Sequence, residues 1–119
     1  MTSKELENRL KSFAYRIVKI CETLGQKKIC KIIEDQLLRS SFSAAANYRA
    51  ACRGINKKSF IAKLSIAFEE CDESLFWLEV IKEPGLVPES KLAAMMIESN
   101  ELCSILASAR KTSQKNMQA

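Results

Sequence analysis

Apolar residues recur at steps of three and four along four segments of the chain, the spacing that places them on one face of an α-helix. The first segment shows this spacing most clearly, at Leu6, Leu10, Phe13, Ile17, Ile20 or Cys21, and Leu24. Only three glycines and two prolines interrupt the 119 residues, so long helices are expected. The pattern predicts helices over about residues 3–24, 26–53, 57–82 and 89–110, followed by a frayed polar tail at 111–119.

The breaks between these segments are short and carry helix start and stop signals. Thr2, with Glu5 three residues later, forms a capping-box pattern, and residues 83–88 contain two prolines and a glycine. A short connection returns each helix beside its predecessor, which favours up-down-up-down topology. We therefore predict an all-α, antiparallel four-helix bundle that forms a single domain over residues 1–119.

The third segment carries more apolar surface than one bundle core can cover. Besides its core stripe, it has outward-facing apolar residues at Ile66, Phe76, Trp77 and Val80. Large exposed apolar patches are typical of interfaces between proteins. The sequence therefore predicts that this helix contributes to a homo-oligomeric interface.

The composition lacks the residues that several kinds of chemistry need. There is no histidine, and the five cysteines are widely spaced, with no Cys-x-x-Cys pair. Zinc sites, Cys–His nucleophiles and histidine acid–base catalysis therefore lose their usual residues. We predict no enzymatic activity, cofactor or metal site, and reduced, buried cysteines. The absence of a long apolar run and of a signal-peptide pattern predicts a soluble, cytoplasmic protein with no membrane partner.

The net charge of +5 is divided unevenly along the chain. Residues 1–57 hold twelve Lys or Arg against five Asp or Glu, giving +7, whereas residues 58–119 hold seven against nine, giving −2. A basic half favours a polyanion partner or self-association, and a simply solvated surface is the alternative. The predicted nucleic-acid-binding residues are Lys4, Arg9, Lys11, Arg16, Lys19, Lys27, Lys28 and Lys31. Because no aromatic residue is interleaved with these lysines, we expect recognition of phosphate charge and shape alone.

Several polar residues stand among apolar neighbours in the second and third segments. Counting outward from a turn near Gly54 places Arg39 level with Glu70 and Glu73, since each helical residue rises about 1.5 Å. We predict that Arg39 pairs with one of these carboxylates and that Asn47 is hydrogen-bonded. The residues interpreted as a structural polar lock are Arg39, Ser40, Ser43, Asn47, Glu70 and Glu73. Binding of a ligand phosphate by Arg39 is the alternative.

The same counting around the turn near Leu86 places Glu73 level with Glu98, and Glu70 level with Glu101. Two Glu-x-x-Glu pairs on facing helices could bind Mg²⁺, an arrangement that resembles all-α nucleotide pyrophosphohydrolases. A ferritin-like di-iron site is disfavoured, because its Glu-x-x-His ligands require histidine. A metal-dependent nucleotide hydrolase is thus the enzymatic alternative.

Three stretches, residues 36–51, 60–66 and 69–79, resemble the bacterial four-helix-bundle family of the 23S rRNA intervening-sequence protein. The run QLLRS at residues 36–40, with Asn47 after it, is the most specific part, and the resemblance covers roughly residues 10–110. It implies an up-down-up-down bundle that assembles as a ring-like homopentamer. Family members are encoded within insertions in large-subunit ribosomal RNA genes, and a similar accessory protein of diversity-generating retroelements binds nucleic acid and a reverse transcriptase.

The family pattern falls by position on Arg39, Ser40, Ser43, Asn47 and Glu73. Many relatives continue after the Asn with Ile-Ala-Glu-Gly, whereas this chain has Tyr-Arg-Ala-Ala at residues 48–51, with a neutral residue at the acidic position. The sequence and the resemblance together favour a homo-oligomeric adaptor that binds structured RNA or another polyanion. A protein-interaction scaffold without a nucleic-acid role is the alternative, and the nucleotide hydrolase ranks third.

Overall fold

Four α-helices joined by short connections form the protein in the computed structural model, which describes residues 1–118. They are α1 (Ser3–Glu22), α2 (Lys28–Cys52), α3 (Lys57–Lys82) and α4 (Glu89–Gln118). Consecutive helices pack side by side and α4 returns to α1, which closes a bundle with Cα extents of 49 × 21 × 20 Å. The predicted fold class is confirmed. None of the four described helices is long and apolar enough to cross a membrane.

Specific hydrogen bonds set the helix ends. The predicted capping box is present at α1, where Thr2 Oγ1 accepts from the Glu5 N–H at 3.1 Å and the Glu5 carboxylate accepts from the Thr2 N–H at 3.2 Å. Asn56 caps α3 by accepting from the Ser59 N–H at 2.8 Å. After α3, Gly85 adopts a φ of +71°, a left-handed conformation that glycine tolerates best, and the chain turns toward α4.

Two helices are shorter than the sequence predicted, and one is longer. α1 ends two residues early, at Glu22, and α2 spans residues 28–52 instead of 26–53. α4 continues to Gln118, where a frayed tail was expected over 111–119. This segment contains neither glycine nor proline, so no residue in it disfavours the helix strongly. Just before it, the Arg110 guanidinium carbon lies 4.5 Å from the centre of the Phe68 ring on α3. Ala119, the end of that predicted tail, lies outside the described residues.

One apolar cluster fills the bundle axis. Every residue of the stripe predicted for α1 is buried. Along α2, apolar residues at the same spacing are buried at Ile33, Leu37, Ala44, Tyr48 and Ala51. Ile29, which continues this spacing toward the start of α2, is exposed, and Cys30 is buried in its place. The later start of α2 puts Ile29 in its first turn, on the outward side.

The five cysteines are free thiols, and all but Cys52 are buried. Cys103 Sγ donates to Cys71 Sγ at 3.4 Å between α4 and α3. The neighbouring Cys103 and burial raise the pKa of the Cys71 thiol, and burial raises the pKa of Cys21 to about 12. Because the thiolate is the reactive form, Cys21 and Cys71 are poor nucleophiles at neutral pH.

Candidate nucleic-acid interface

The first half of α1 and the second half of α2 enclose a basic groove of about 290 Å³. The α1–α2 groove, as we call it, is lined by four cationic side chains, those of Lys4, Lys11, Arg49 and Arg53. Glu7 is the one carboxylate in its lining. Ala45 and Ala46 of α2 line it as well, and their small side chains leave the space between the helices open.

A shallower cleft lies on the other side of Tyr15, and its cationic residues are Lys11, Arg16 and Lys19. A third hollow, between α1 and α4, adds Lys91 of α4 to Arg16 and Lys19. Positive charge therefore follows α1 from residue 4 to residue 19, a helical length of about 22 Å.

Seven of the eight predicted nucleic-acid-binding residues are exposed at the surface: Lys4, Lys11, Arg16, Lys19, Lys27, Lys28 and Lys31. Within residues 1–118, none of these seven has a carboxylate oxygen within 4.0 Å. The eighth, Arg9, is held by two glutamates and is not a free cation. Sequence reasoning missed Arg49 and Arg53, which join the surface from α2 once the two helices are paired.

Two aromatic rings lie among these cations, which corrects the expectation that none would. Tyr15 and Phe42 meet edge to face, with ring centroids 5.6 Å apart and planes at 87°. Their exposed fractions are 57% and 36%. The signal for Tyr15 was present in the sequence, since it directly precedes Arg16, but Phe42 could be found only from the packing of α2 against α1.

Arg9 bridges α1 to α4 in a group that we call the Arg9 cluster, formed with Glu98 and Glu101. Its Nε and Nη2 donate to the two oxygens of Glu98 at 3.0 and 2.7 Å, and Nη2 lies 2.9 Å from Glu101 Oε1. The Arg9 and Glu98 side chains are only 26% and 18% exposed. Their hydrogen bonding raises the pKa of Arg9 and holds the pKa of Glu98 below its ordinary value of 4.5, so both groups stay charged.

Arg39 bridges α2 to α3 in a second group, the Arg39 cluster, formed with Glu70 and Glu73. Arg39 Nη1 donates to Glu70 at 2.5 Å, Nη2 donates to Glu73, and Nε donates to Gln36 at 3.1 Å. The sequence predicted one carboxylate partner, and the structure provides two. Partial burial of Glu73 favours its neutral form, but hydrogen bonds from Arg39 and from Trp77 Nε1 outweigh that effect and hold its pKa below 4.5.

Buried hydroxyls reinforce the α2–α3 seam. Ser40 Oγ and Ser74 Oγ are 2.8 Å apart, and Ser74 also donates to the Glu70 carbonyl at 3.1 Å. Asn47 is hydrogen-bonded as predicted, but it donates to the Ser43 carbonyl and hydroxyl within α2, at 2.9 and 3.1 Å. Of the predicted polar lock, the residues that link the two helices are Arg39, Ser40, Glu70 and Glu73. Ser43 and Asn47 join successive turns of one helix, and the sequence reasoning missed Ser74.

The four carboxylates considered for a metal site are divided between the two clusters. Glu70 and Glu73 face Arg39 on one seam, while Glu98 and Glu101 face Arg9 on the opposite seam. Over the described part of the chain, no three Asp, Glu or Cys side chains are grouped in a way that could hold a metal ion. Counting residues from a turn does not predict the direction in which a side chain points around its helix. The hydrolase alternative therefore lacks the geometry on which it depended.

The outward apolar positions predicted on α3 are partly exposed. Phe76 and Ile66 are exposed, and Phe76 meets Trp77 edge to face at 5.0 Å. Trp77 and Val80 are half-buried against the core.

Two exposed residues of α2, Ile29 and Ile32, extend this apolar surface. The register that sets Arg39 beside Glu70 and Glu73 puts Ile32 level with Trp77 and Ile29 level with Val80. The end of the α2–α3 seam thus carries five apolar residues, here called the apolar patch: Ile29, Ile32, Phe76, Trp77 and Val80.

Comparisons with other proteins agree with the architecture described above. A crystal structure of a protein with unknown function from the S23 ribosomal protein family of Bacteroides thetaiotaomicron VPI-5482 has a TM-score of 0.83 and 29% sequence identity. The similarity covers 93% of this chain and 99% of that one. No curated protein matches the sequence. The family profile described as 23S rRNA-intervening sequence protein matches residues 5–108, and because this match spans most of the sequence, the chain belongs to the 23S rRNA-intervening sequence protein family.

Proposed function

We propose that the protein is a non-enzymatic, homo-oligomeric adaptor that binds structured RNA through the basic surface of α1 and the adjoining parts of α2. The observation that carries this proposal is a set of exposed Lys and Arg side chains that have no carboxylate partner within residues 1–118. The three basic residues in ion pairs, Arg9, Arg39 and Lys82, lie at other helix contacts. Unpaired lysines also lie on α3 and α4, but residues 58–119 hold more Asp and Glu than Lys and Arg, so the net positive charge is carried by residues 1–57.

Such a surface suits a phosphate backbone. Each Lys or Arg that neutralises a phosphate releases condensed counterions, so affinity grows with the number of contacts and falls steeply with salt. The acidic excess of residues 58–119, which form most of α3 and α4, would repel RNA from the opposite side. Charge alone therefore orients the protein with α1 toward the nucleic acid.

Self-association through the apolar patch is the second part of the proposal. The patch lies on the α2–α3 seam, and α3 does not contact α1, so a neighbouring subunit there leaves the basic surface of α1 free. Several copies of a weak phosphate-binding surface would raise the overall affinity through avidity. The resemblance noted from the sequence implies five subunits.

The comparisons suggest which RNA to test first. The matching family is described as 23S rRNA-intervening sequence protein, and the similar crystal structure is of a protein from the S23 ribosomal protein family. Fluorescence anisotropy with a labelled hairpin of ribosomal RNA, against an unrelated hairpin of equal length, measures affinity and selectivity across a salt series. Tight, salt-sensitive and hairpin-selective binding is the expected result.

A charge-reversal pair tests the surface itself. Lys27→Glu with Lys28→Glu places acidic residues at the start of α2, where they favour the helix dipole, so the fold should survive. We expect an affinity loss of at least about tenfold and a shallower salt dependence. The control variant, Lys58→Glu with Lys63→Glu, makes the same charge change on α3. It should bind the RNA hairpin more tightly than the first double variant does. Equal losses in both pairs would contradict the assigned surface.

Absence of binding to either hairpin would favour the protein-interaction scaffold instead. Oligomerisation is tested separately by light scattering after size-exclusion chromatography. Phe76→Glu is expected to dissociate the assembly, whereas Ile97→Glu, which charges an exposed apolar residue of α4 outside the patch, should not. A monomeric wild-type protein at micromolar concentration would overturn this part of the proposal.

A further inference from the structure

The edge-to-face pair of Tyr15 and Phe42 stands at the boundary between two basic hollows. On one side is the α1–α2 groove, and on the other is the cleft that contains Arg16 and Lys19. Tyr15 lines both hollows, and Lys11 is shared between them. An aromatic surface is thus flanked by cations in both directions along α1.

Burial in the core does not account for this placement. Tyr15 is 57% exposed although α1 has a complete buried stripe of its own, and Phe42 is 36% exposed, so neither ring is one of the buried core residues. The two rings touch each other through the opening that Ala45 and Ala46 leave between the helices. Their exposed surface is therefore available to a planar ligand.

We propose that the Tyr15–Phe42 pair is a stacking platform for an unpaired base of the bound RNA, while Lys4, Arg49 and Arg16 contact the phosphates on either side of it. This inference rests on the proposed RNA-binding function and adds a structural preference to it. Bases inside an A-form duplex are stacked on one another and cannot reach an aromatic side chain, whereas loop, bulge and end nucleotides can. The protein therefore selects structured RNA that carries an unpaired nucleotide.

Charge and chemistry favour a nucleotide over other planar ligands. The groove has four cations and one carboxylate, Glu7, so it suits a ligand that is anionic on both sides of its ring. Asn8 also lines the groove, and its amide has both donors and an acceptor for the edge of a base. A stacked base tolerates sequence variation because every base has a π-face, so preference for a loop is expected without strict sequence specificity.

The test compares two RNAs that contain the same stem and the same number of nucleotides. One is a hairpin with 2-aminopurine in its loop, and the other is a fully paired, blunt-ended duplex. Wild-type protein should bind the hairpin more tightly and quench the 2-aminopurine fluorescence. Tyr15→Leu should weaken hairpin binding by about five- to 100-fold, the loss expected for one stacked base, and should abolish the quenching. Tyr15→Phe keeps the ring and should retain both. Ile97→Ala, which removes an exposed apolar side chain of α4 outside the groove and the apolar patch, should leave the quenching unchanged.

The outcomes separate this inference from the function on which it rests. Salt-sensitive binding that is equal for hairpin and duplex, and unchanged in Tyr15→Leu, would overturn the stacking platform and leave the RNA-binding proposal in place. No binding to either RNA would overturn both. A polyglutamate peptide that binds as tightly as the hairpin, with the same loss in Tyr15→Leu, would show that the groove recognises acidic peptides and would overturn the assignment to a base.

Discussion

The Arg9 cluster and the Arg39 cluster place the same groups, an arginine and a Glu-x-x-Glu pair, on opposite seams of the bundle. Arg9 donates two parallel hydrogen bonds to Glu98, and both side chains are mostly buried. Arg39 divides its donors among two carboxylates and Gln36, and 47% of its side chain stays exposed. The surroundings differ as well, because α2 and α3 share an extensive interface whereas α1 and α4 meet over a much smaller one.

This difference indicates that an arginine with a Glu-x-x-Glu pair can have a different role on each seam. On the α1–α4 seam few other contacts fix the helices, so the directional bonds of Arg9 have a large share in their alignment. On the α2–α3 seam, packing and the Ser40–Ser74 hydrogen bond already fix the helices. Arg39 there borders the apolar patch that we propose a second copy covers. We therefore expect the Arg9 cluster to stabilise the monomer, and the Arg39 cluster to matter most after assembly.

Replacing Arg9 with alanine should have the largest effect, a loss of about 1–2 kcal/mol in the free energy of unfolding. Glu98 is mostly covered and would keep its charge without a fork-shaped partner. Urea unfolding followed by circular dichroism measures the loss. The double variant Arg9→Ala with Glu98→Ala should recover part of it, since no unpaired carboxylate remains at that position. A loss no greater than that of Lys11→Ala, an exposed residue on the same helix, would refute the role assigned to Arg9.

Replacing Arg39 with alanine should cost less, about 0.2–1 kcal/mol in dilute protein, because its ion pairs are half-exposed. The cost should increase with protein concentration if a second copy covers the cluster, since the pairs are then shielded from water. The midpoints of urea unfolding at two protein concentrations measure this cost. Arg9→Ala is the control, because its loss in the free energy of unfolding should be the same at both concentrations. A concentration-independent cost for Arg39→Ala would place the cluster outside the interface.

The sequence was sufficient to predict the fold and the level of Arg39 relative to Glu70 and Glu73. The three- and four-residue apolar spacing identified all four helices, and the 1.5 Å rise placed Arg39 level with Glu70 and Glu73, where the structure has it. Both inferences depend on periodicity within a helix or on distance from a turn. These quantities are local, so a single sequence contains them.

The direction in which a side chain points around the bundle could not be predicted in the same way. Glu73 and Glu98 were placed level with each other by counting, yet they face different seams and different arginines. The pairing of Tyr15 with Phe42 likewise depends on how α1 and α2 are rotated against each other. The rotation of each helix about its own axis is set by the packing of the whole core. The sequence therefore predicted the basic residues of the candidate site but not the groove that they line.

Buried serines extend the comparison of the two seams. Ser40, beside Arg39, bonds to Ser74, so Ser40→Ala should cost about 0.5–1 kcal/mol in the free energy of unfolding. Ser99, beside Glu98, is fully buried, and its hydroxyl makes no well-formed hydrogen bond to any residue that the structure describes. The Cys103 thiol one turn later is only a weak partner. Ser99→Ala should therefore be neutral or slightly stabilising, and a loss as large as that of Ser40→Ala would reveal a partner for Ser99.

The smallest expected effect is spectroscopic, and it separates the clusters because Trp77, the single tryptophan, bonds only to the Arg39 cluster. The pKa of Glu73 lies below its ordinary 4.5 in the folded protein, so its stabilising contribution is complete above that pH and is lost as the pH falls through the lowered value. Trp77 emission should change over the same range.

In Arg39→Ala, the burial of Glu73 is no longer outweighed by the arginine, so the midpoint of this emission change should move to higher pH. In Arg9→Ala it should not move, although that variant loses more stability. Circular dichroism at each pH ensures that only folded protein is compared. Equal midpoint shifts in the two variants would mean that Trp77 reports overall stability instead of the protonation of Glu73, and the two clusters would then have to be treated as one coupled network.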